Sequence, residues 1–365
     1  MTEVFMSYRI EEIDKNFAPV SLDGLDVVFK NVTDEPFRLY GLTVPASKDS
    51  DFRRIPKIEG VNGGVFHLSK NTAGVRARFS TTSPYIAIYA EIGDAYHMAH
   101  MPLSGSCGFD LYVLEGSEER HVRPMIPPTG VCHGQQHYHS IVKLSNKAFE
   151  KERTYTLYFP LYNGVKKLEI GVAPGSILGE GEPYTQKKPV VYYGSSITQG
   201  GCASRAGNAY PAFITHKLNL DHLNLGFSGS CVAEREMAEY IAGLEMCAFV
   251  YDYDYNAPTP DYLRETHEPF FSIIRKYNPN LPVIILSAPC APKNGDDCTR
   301  RDIIKATYES AKAKGDKNVY FIDGTQIFDG IFADSCTVDS VHPNDLGFAR
   351  MAEKLIPVIK ESLNI

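Results

Sequence analysis

Residues 190–200 read Val190-Val191-Tyr192-Tyr193-Gly194-Ser195-Ser196-Ile197-Thr198-Gln199-Gly200. Four β-branched or aromatic residues follow Pro189, and a short apolar run bounded by a proline reads as a buried strand. The strand hands over to a tight Gly-Ser-Ser turn, and a helical pattern resumes from about Asn208. A serine at such a handover lies where backbone N–H groups can cradle an oxyanion, so it can act as a nucleophile. Gly-Ser turns also serve as phosphate-binding or purely structural turns, so the rest of the chain must decide.

C-terminal to this run, strand and helix alternate. The strand candidates are Val190–Tyr193, His222–Phe227, Ala248–Tyr253, Val283–Ser287 and Val319–Ile322. Helical patterns cover Tyr210–Leu218, Cys231–Leu244, Asp261–Tyr277, Asp296–Lys314 and Asp345–Leu363, with Asp296-Asp297 and Asn344-Asp345 as N-terminal caps. Five short strands, each followed by a helical segment, imply an α/β fold: an α/β/α three-layer, flavodoxin-like parallel sheet over residues 186–365.

N-terminal to it, residues 1–185 have a β texture. Apolar, alternating runs recur at Asp26–Phe29, Phe37–Leu42, Val75–Phe79, Tyr85–Ile92, Phe109–Leu114, Tyr155–Tyr162 and Leu168–Val172, separated by Gly- and Asn-rich turns. Such punctuation predicts a jelly-roll-like β-sandwich with no long amphipathic helix. Pro174–Pro189, rich in glycine and proline, reads as a linker or strap between the two domains.

The bulk numbers set limits. With 37 basic and 44 acidic residues the net charge is −7, which argues against a nucleic-acid or anionic-membrane partner. The N-terminus lacks a basic and apolar leader pattern, and no stretch approaches a membrane span. The eight cysteines (107, 132, 202, 231, 247, 290, 298 and 336) include no C-x-x-C pair, which disfavours a zinc ribbon or disulfide scaffold and suggests a cytoplasmic protein with reduced thiols. Two histidine patches, Cys132-His133 with His137 and His139, and His97 with His100, have spacings that metal ligands sometimes use. Without an acidic partner nearby they read as hydrogen-bonded or solvated loop residues, so no metal ligand and no cofactor is assigned.

In open α/β sheets, sites lie at the carboxyl ends of strands. Those ends here carry Gly194-Ser195-Ser196, then Asn224-Leu225-Gly226-Phe227-Ser228-Gly229, then Asp252-Tyr253-Asp254-Tyr255-Asn256, and finally Asp339-Ser340-Val341-His342. A serine, glycine-flexible backbone, an amide and an Asp/His pair are the parts of an acyl-transfer site. Asp and His three apart in a loop can hydrogen-bond, so the carboxylate would fix the imidazole tautomer.

This set resembles the SGNH (GDSL-like) hydrolase superfamily over residues 189–365, with its four blocks in order. The resemblance implies Ser196 as nucleophile, His342 as base and Asp339 as its partner. It implies an oxyanion hole from Ser196, Gly226 and the side-chain amide of Asn256. Cys107-Gly108-Phe109-Asp110-Leu111-Tyr112 is similar to the G-x-D-L-Y signature of a β-sandwich domain that precedes such domains. Two departures stand out. Ser195 replaces the aspartate usual before the nucleophile, and the frame Gly194-x-Ser196 favours Ser196. Asp254 replaces a glycine two before the asparagine. The alternation from Asp252 to Asn256 predicts one shared face, so Asp254 is a candidate substrate contact, as is Arg205 in the loop after the nucleophile.

The implied function is hydrolysis of carboxylic esters through an acyl-enzyme, with O-acetyl groups on a carbohydrate or other polyol as the expected substrate. Rival readings are an acyltransferase using the same residues, a non-catalytic carbohydrate-binding protein with the oxyanion hole spoiled by Asp254, and a metal-dependent hydrolase centred on His133, His137 and His139. Oligomeric state is not legible.

Overall fold

A computed structural model of the protein describes residues 10–14, 22–47, 52–93, 95, 98–144, 151–289 and 295–365. His97 and Cys290, named above, lie outside them. After a single-turn α1 (Ile10–Ile13) comes an antiparallel domain with strands β1 (Val28–Asn31), β2 (Arg38–Tyr40), β3 (Arg76–Thr81), β4 (Tyr85–Ile92), β5 (Phe109–Glu115), β6 (Glu118–Met125), β7 (His137–Lys143), β8 (Arg153–Tyr158), β9 (Val165–Val172) and β10 (Leu178–Gly179). Two further short helices interrupt it, α2 (Gly63–Leu68) and α3 (Leu103–Ser106).

One sheet has the order β1-β9-β4-β7, and the other β10-β3-β8-β5-β6 with β2 also on β3. The inward-facing Ile86, Ile88 and Ile170 of the first share one core with Phe79, Leu111 and Leu157 of the second. That shared core makes the pair a sandwich. β4 covers Tyr85–Ile92, as its apolar alternation predicts. β6 was not among the expected strands because Glu-Glu-Arg-His-Val-Arg-Pro-Met has no apolar signature. It lies at a sheet edge, where charges and proline are tolerated.

The second domain is a five-stranded parallel sheet: β11 (Val190–Gly194), β12 (His222–Gly226), β13 (Ala248–Asp252), β14 (Val283–Leu286) and β15 (Val319–Ile322). Its spatial order is β12-β11-β13-β14-β15, the flavodoxin-like 2-1-3-4-5 arrangement. After the short helical turn α4 (Ser196–Gln199) come α5 (Tyr210–Leu218), α6 (Arg235–Ala242), α7 (Pro260–Tyr277), α8 (Gly295–Ala313) and α9 (Asp345–Leu363). Successive strand residues point to opposite faces. Tyr192, Val250 and Ile284 pack with Ile214 of α5 and with Phe348 and Leu355 of α9. Tyr193, Tyr251 and Ile285 pack with Met237 of α6, Phe270 of α7 and Ile304 of α8. The strands are therefore covered on both sides, which is why their sequences are almost continuously apolar. The strand order reverses between β11 and β13, so the end of β11 is the switch point where a ligand site is expected.

The two domains meet through buried polar groups. Asp110, fully buried at the start of β5, accepts from Arg205 Nη1 at 3.1 and 3.2 Å and from the Gly207 N–H at 3.2 Å, and lies 3.0 Å from His121 Nε2. Tyr112, two residues on, stacks on His216 of α5 with ring centroids 3.9 Å apart. Leu111 between them points into the sandwich core. The G-x-D-L-Y run thus alternates interface, core, interface, as a strand must. Glu119 adds a second buried knot, accepting from Thr156 Oγ1 at 2.6 Å and Tyr158 O–H at 2.7 Å, with His216 Nδ1 at 2.9 Å. Burial opposes its ionisation, but the hydrogen bond and charge of His216, with Arg78 and Thr156, outweigh burial and hold its carboxyl down at about 2.

Candidate active site

Every backbone choice around Ser196 serves to fix a tight turn. Ser195 is its N-cap, with Oγ accepting from the Ile197 N–H at 3.2 Å, so this hydroxyl is committed to the backbone. Gly194 has no room for a Cβ, which would run into the Thr198 side chain and the Asp252 carbonyl. Thr198 Oγ1 donates to Asp252 Oδ2 at 2.6 Å, and Asn224 Nδ2 donates to the Thr198 carbonyl at 2.7 Å. Tyr162 of the sandwich donates to the Ser196 carbonyl at 3.2 Å. Groups from β12, β13 and the other domain clamp the turn, and the Ser196 hydroxyl is what remains free to react.

Ser196 Oγ lies 2.9 Å from His342 Nε2. His342 Nδ1 lies 2.7 Å from Asp339 Oδ2, while Asp339 Oδ1 accepts from the N–H groups of His342 at 2.7 Å and Val341 at 3.0 Å. The carboxylate thus orients both the ring and the loop that carries it. Partial burial works against its charge, but the backbone and imidazole hydrogen bonds of His342, together with the Val341 N–H, prevail and hold the carboxyl down at about 2. The Cys202 N–H donates to the Pro343 carbonyl at 2.8 Å, tying the loop after Ser196 to the loop of His342.

A pH profile follows from these contacts. Asp339, held down at about 2, stays ionised far below neutrality and adds no proton to the acid limb of kcat/KM. A second carboxyl, Asp252, is pushed up to about 7 by burial, an effect that the Thr198 and Tyr210 hydroxyls moderate and Asp254 reinforces. It bonds only to those two hydroxyls among the described residues. Asp252→Asn should therefore leave the midpoint of the acid limb in place. A midpoint that moves in this variant would assign the limb to Asp252.

Three expectations need correction. The Gly226 N–H donates to Asn224 Oδ1 at 2.9 Å and is not available to an oxyanion. Gly226 is the last residue of β12, paired with Gly194, and its α-carbon is pressed against the backbone of Thr198 and Gln199. Its smallness lets α4 sit on the sheet. Asp254 does not face the catalytic groups. β13 ends at Asp252, so the alternation stops there. The buried Asp254 carboxylate accepts from the Ala288 N–H at 3.0 Å and lies 3.6 Å from Arg300 of α8. Arg205 is held by Asp110 and, at 2.9 Å, by Asn208 Oδ1, so its guanidinium is part of the domain interface.

Other donors remain unspent among the described residues. The first N–H of a helical turn has no partner within the turn, and that of Ser196 has none outside it. Asn256 has its Oδ1 buried without a donor, and its Nδ2 has no acceptor. Gly229, at φ +65°, follows Ser228, whose N–H donates to Gln199 Oε1 of the nucleophile turn at 3.0 Å. The Gly229 N–H also has no partner. The sequence signal for Gly229 was present: of the two glycines in Gly226-Phe227-Ser228-Gly229, the one outside the strand ladder keeps a free N–H.

Besides Tyr162, the sandwich contributes two further residues that the sequence did not connect with the site. Arg54, fully buried, donates through Nη1 to the carbonyls of Asn224 and Gly226, both at 2.8 Å, and through Nη2 to that of Leu68 at 2.9 Å. Burial pulls its guanidinium down to about 9, with Tyr162 opposing, so it remains a cation at neutral pH beneath the β12 loop. His100 reaches the Ser196–His342 pair itself, with its ring centroid 6.0 Å from that of His342. By contrast, His137 and His139 lie exposed on β7, against Tyr89, with ring centroids 6.1 and 5.0 Å away. A cavity of ≈ 580 Å³ lined by Phe271, Arg275, Lys314 and Asn318 opens where the chain enters β14 and β15, the end of the sheet opposite Ser196, and has no part in this site.

A serine hydrogen-bonded through an imidazole to a carboxylate, at the switch point of a 2-1-3-4-5 parallel sheet, is the arrangement of an SGNH-type esterase. The chain belongs to the GDSL-like lipase/acylhydrolase family, which matches residues 187–360; residues 27–178 match the N-terminal domain of SGNH-type esterases. Among solved structures it is similar to a protein of Bacteroides ovatus ATCC 8483 assigned as a GDSL-like lipase, at 30% identity and a TM-score of 0.81, covering 93% of this chain and 99% of that one. The fold is also that of a salicylyl-acyltransferase from a tetracycline biosynthetic pathway (18% identity, TM-score 0.73, covering 92% and 99%). It recurs in an acetyl xylan esterase of the rumen bacterium Butyrivibrio proteoclasticus (13%, TM-score 0.57, covering 93% and 99%). No curated protein matches the chain. Among the described residues, no helix is long and apolar enough to cross a membrane.

Proposed function

We propose that the protein is a serine esterase that removes O-acyl groups, acetyl first, from a carbohydrate or other polyol through an acyl-enzyme. The observation that carries the chemistry is the unbroken chain from Ser196 Oγ to His342 Nε2 at 2.9 Å and from His342 Nδ1 to Asp339 at 2.7 Å. His342 takes the hydroxyl proton as Ser196 attacks the ester carbonyl, then returns it to the leaving alkoxide. Water repeats the cycle and releases the acid. The Ser196 N–H, the Gly229 N–H and the Asn256 amide are the donors for the oxyanion, since none of them has an acceptor among the described residues. An acetylated glycan as substrate draws support from the carbohydrate esterases that share the fold, among them the acetyl xylan esterase.

Two measurements test this reading. Acetate release from O-acetylated sugars should exceed release of longer acyl chains from matched p-nitrophenyl esters, and a preference for long chains would remove acetyl from the proposal. Asn256→Ala should lower kcat on the order of 10²-fold with KM little changed, the usual cost of one oxyanion donor. An unchanged kcat would take Asn256 out of the oxyanion hole.

A further inference from the structure

The segment between β4 and α3 brings His100 from the sandwich to the base of the other domain. One ring nitrogen each of His100 and His342 and one carboxylate oxygen of Asp339 all lie within 4.8 Å of one another. The His100 ring makes no hydrogen bond among the described residues, so both its nitrogens are available. His100 and Asp339 are exposed, and an ion can reach them from solvent.

Two neutral imidazoles and a carboxylate are the donors that borderline divalent ions of the zinc type prefer, whereas magnesium and calcium take oxygen ligands. With metal–ligand distances of about 2.0–2.2 Å, ligand atoms of a tetrahedral ion lie roughly 3.4 Å apart. Closing the present spread to that value asks roughly 1.5 Å of an exposed side chain, within reach of rotamer adjustment.

We propose that His100, Asp339 and His342 form an inhibitory binding site for a divalent transition-metal ion of the zinc class. Both ring nitrogens of His342 are in use, one toward Ser196 and one toward Asp339. A metal on Nε2 takes the base away from Ser196. A metal on Nδ1 takes the place of the proton shared with the Asp339 carboxylate, which becomes its ligand, and withdraws electron density from the ring. Either mode stops proton transfer, so the domain that lacks the nucleophile gains control over it through one histidine. The inhibition rests on the reading of His342 as base; the binding does not.

The test is a zinc chloride titration in a non-chelating buffer, followed both by p-nitrophenyl acetate turnover and by calorimetry, on wild type, His100→Gln and His139→Gln. Wild type should lose activity reversibly, with EDTA restoring it and magnesium chloride without effect. Loss of even an outer-shell partner weakens metal binding by about 10–100-fold. His100→Gln should therefore need on the order of 100-fold more zinc, in both readouts, while His139→Gln should behave as wild type. Equal zinc affinity in His100→Gln and wild type by calorimetry, or zinc that activates turnover, would overturn the proposal. If no variant turns over ester, the calorimetric comparison still decides the site, and the esterase reading fails separately.

Discussion

Ser196→Ala is expected to reduce kcat on p-nitrophenyl acetate by on the order of 10³ or more, because removal of a triad member leaves only binding and oxyanion stabilisation. KM should change little, since the hydroxyl acts on the acyl carbon and is not a binding handle. The adjacent hydroxyl supplies the control. Ser195 Oγ caps the turn by accepting from the Ile197 N–H, so Ser195→Ala should cost about 1 kcal/mol of stability and leave kcat within a few-fold. The contrast between neighbours is what distinguishes a nucleophile from a structural serine. A near-wild-type rate in Ser196→Ala would sink the mechanism, whereas loss confined to Ser195→Ala would move the nucleophile by one residue.

The sequence was most informative where the backbone itself encodes the outcome. β15 and the helices α5 and α9 fall at their expected bounds, because long apolar periodicity and caps such as Asn344 are local signals. The Ser196–His342–Asp339 chain was legible because strand ends converge in a parallel sheet, which brings segments 146 residues apart together, and because the four-block resemblance picks out these three residues among them. What the sequence did not reveal depends on which partner a polar group finds. Asp254 looked like a site residue until Arg300 and the Ala288 N–H, more than thirty residues away, claimed it. Gly226 and Gly229 differ in that the Asn224 side chain takes the N–H of the first, while the second lies past the strand at positive φ. Arg54 carries no mark in Phe52-Arg53-Arg54-Ile55 to separate a buried cation from an exposed one, and the spacing of His97 and His100 singled out that patch without linking His100 to His342. Contacts between domains leave no periodicity to read.

The domain interface yields the second large effect. Asp110→Ala removes the common acceptor of Arg205, His121 and the Gly207 N–H. Breaking a buried ion pair by deleting one partner costs about 3–5 kcal/mol, mostly because the other charge is left unpaired. Arg205 retains 24% side-chain exposure and can recover some hydration, so the expected loss is at the lower end, about 3 kcal/mol, read as a lower urea midpoint. Asp110→Asn keeps one acceptor oxygen and should lose less. The effect should also reach the chemistry. Arg205 and Gly207 lie in the loop after Ser196, and that loop is tied to the segment of His342 through the Cys202–Pro343 hydrogen bond and through Asp345, which accepts from the Ser204 N–H at 2.8 Å and Asn208 Nδ2 at 2.8 Å. Freeing one end of this strap loosens the register between Ser196 and His342, so kcat should fall in Asp110→Ala under conditions where the protein remains folded, and Asp110→Asn should restore part of it. A lowered urea midpoint with kcat intact would confine Asp110 to holding the domains together. A fall in both would mean that the sandwich is a working part of the esterase, as the reach of Tyr162 to the nucleophile turn already suggests.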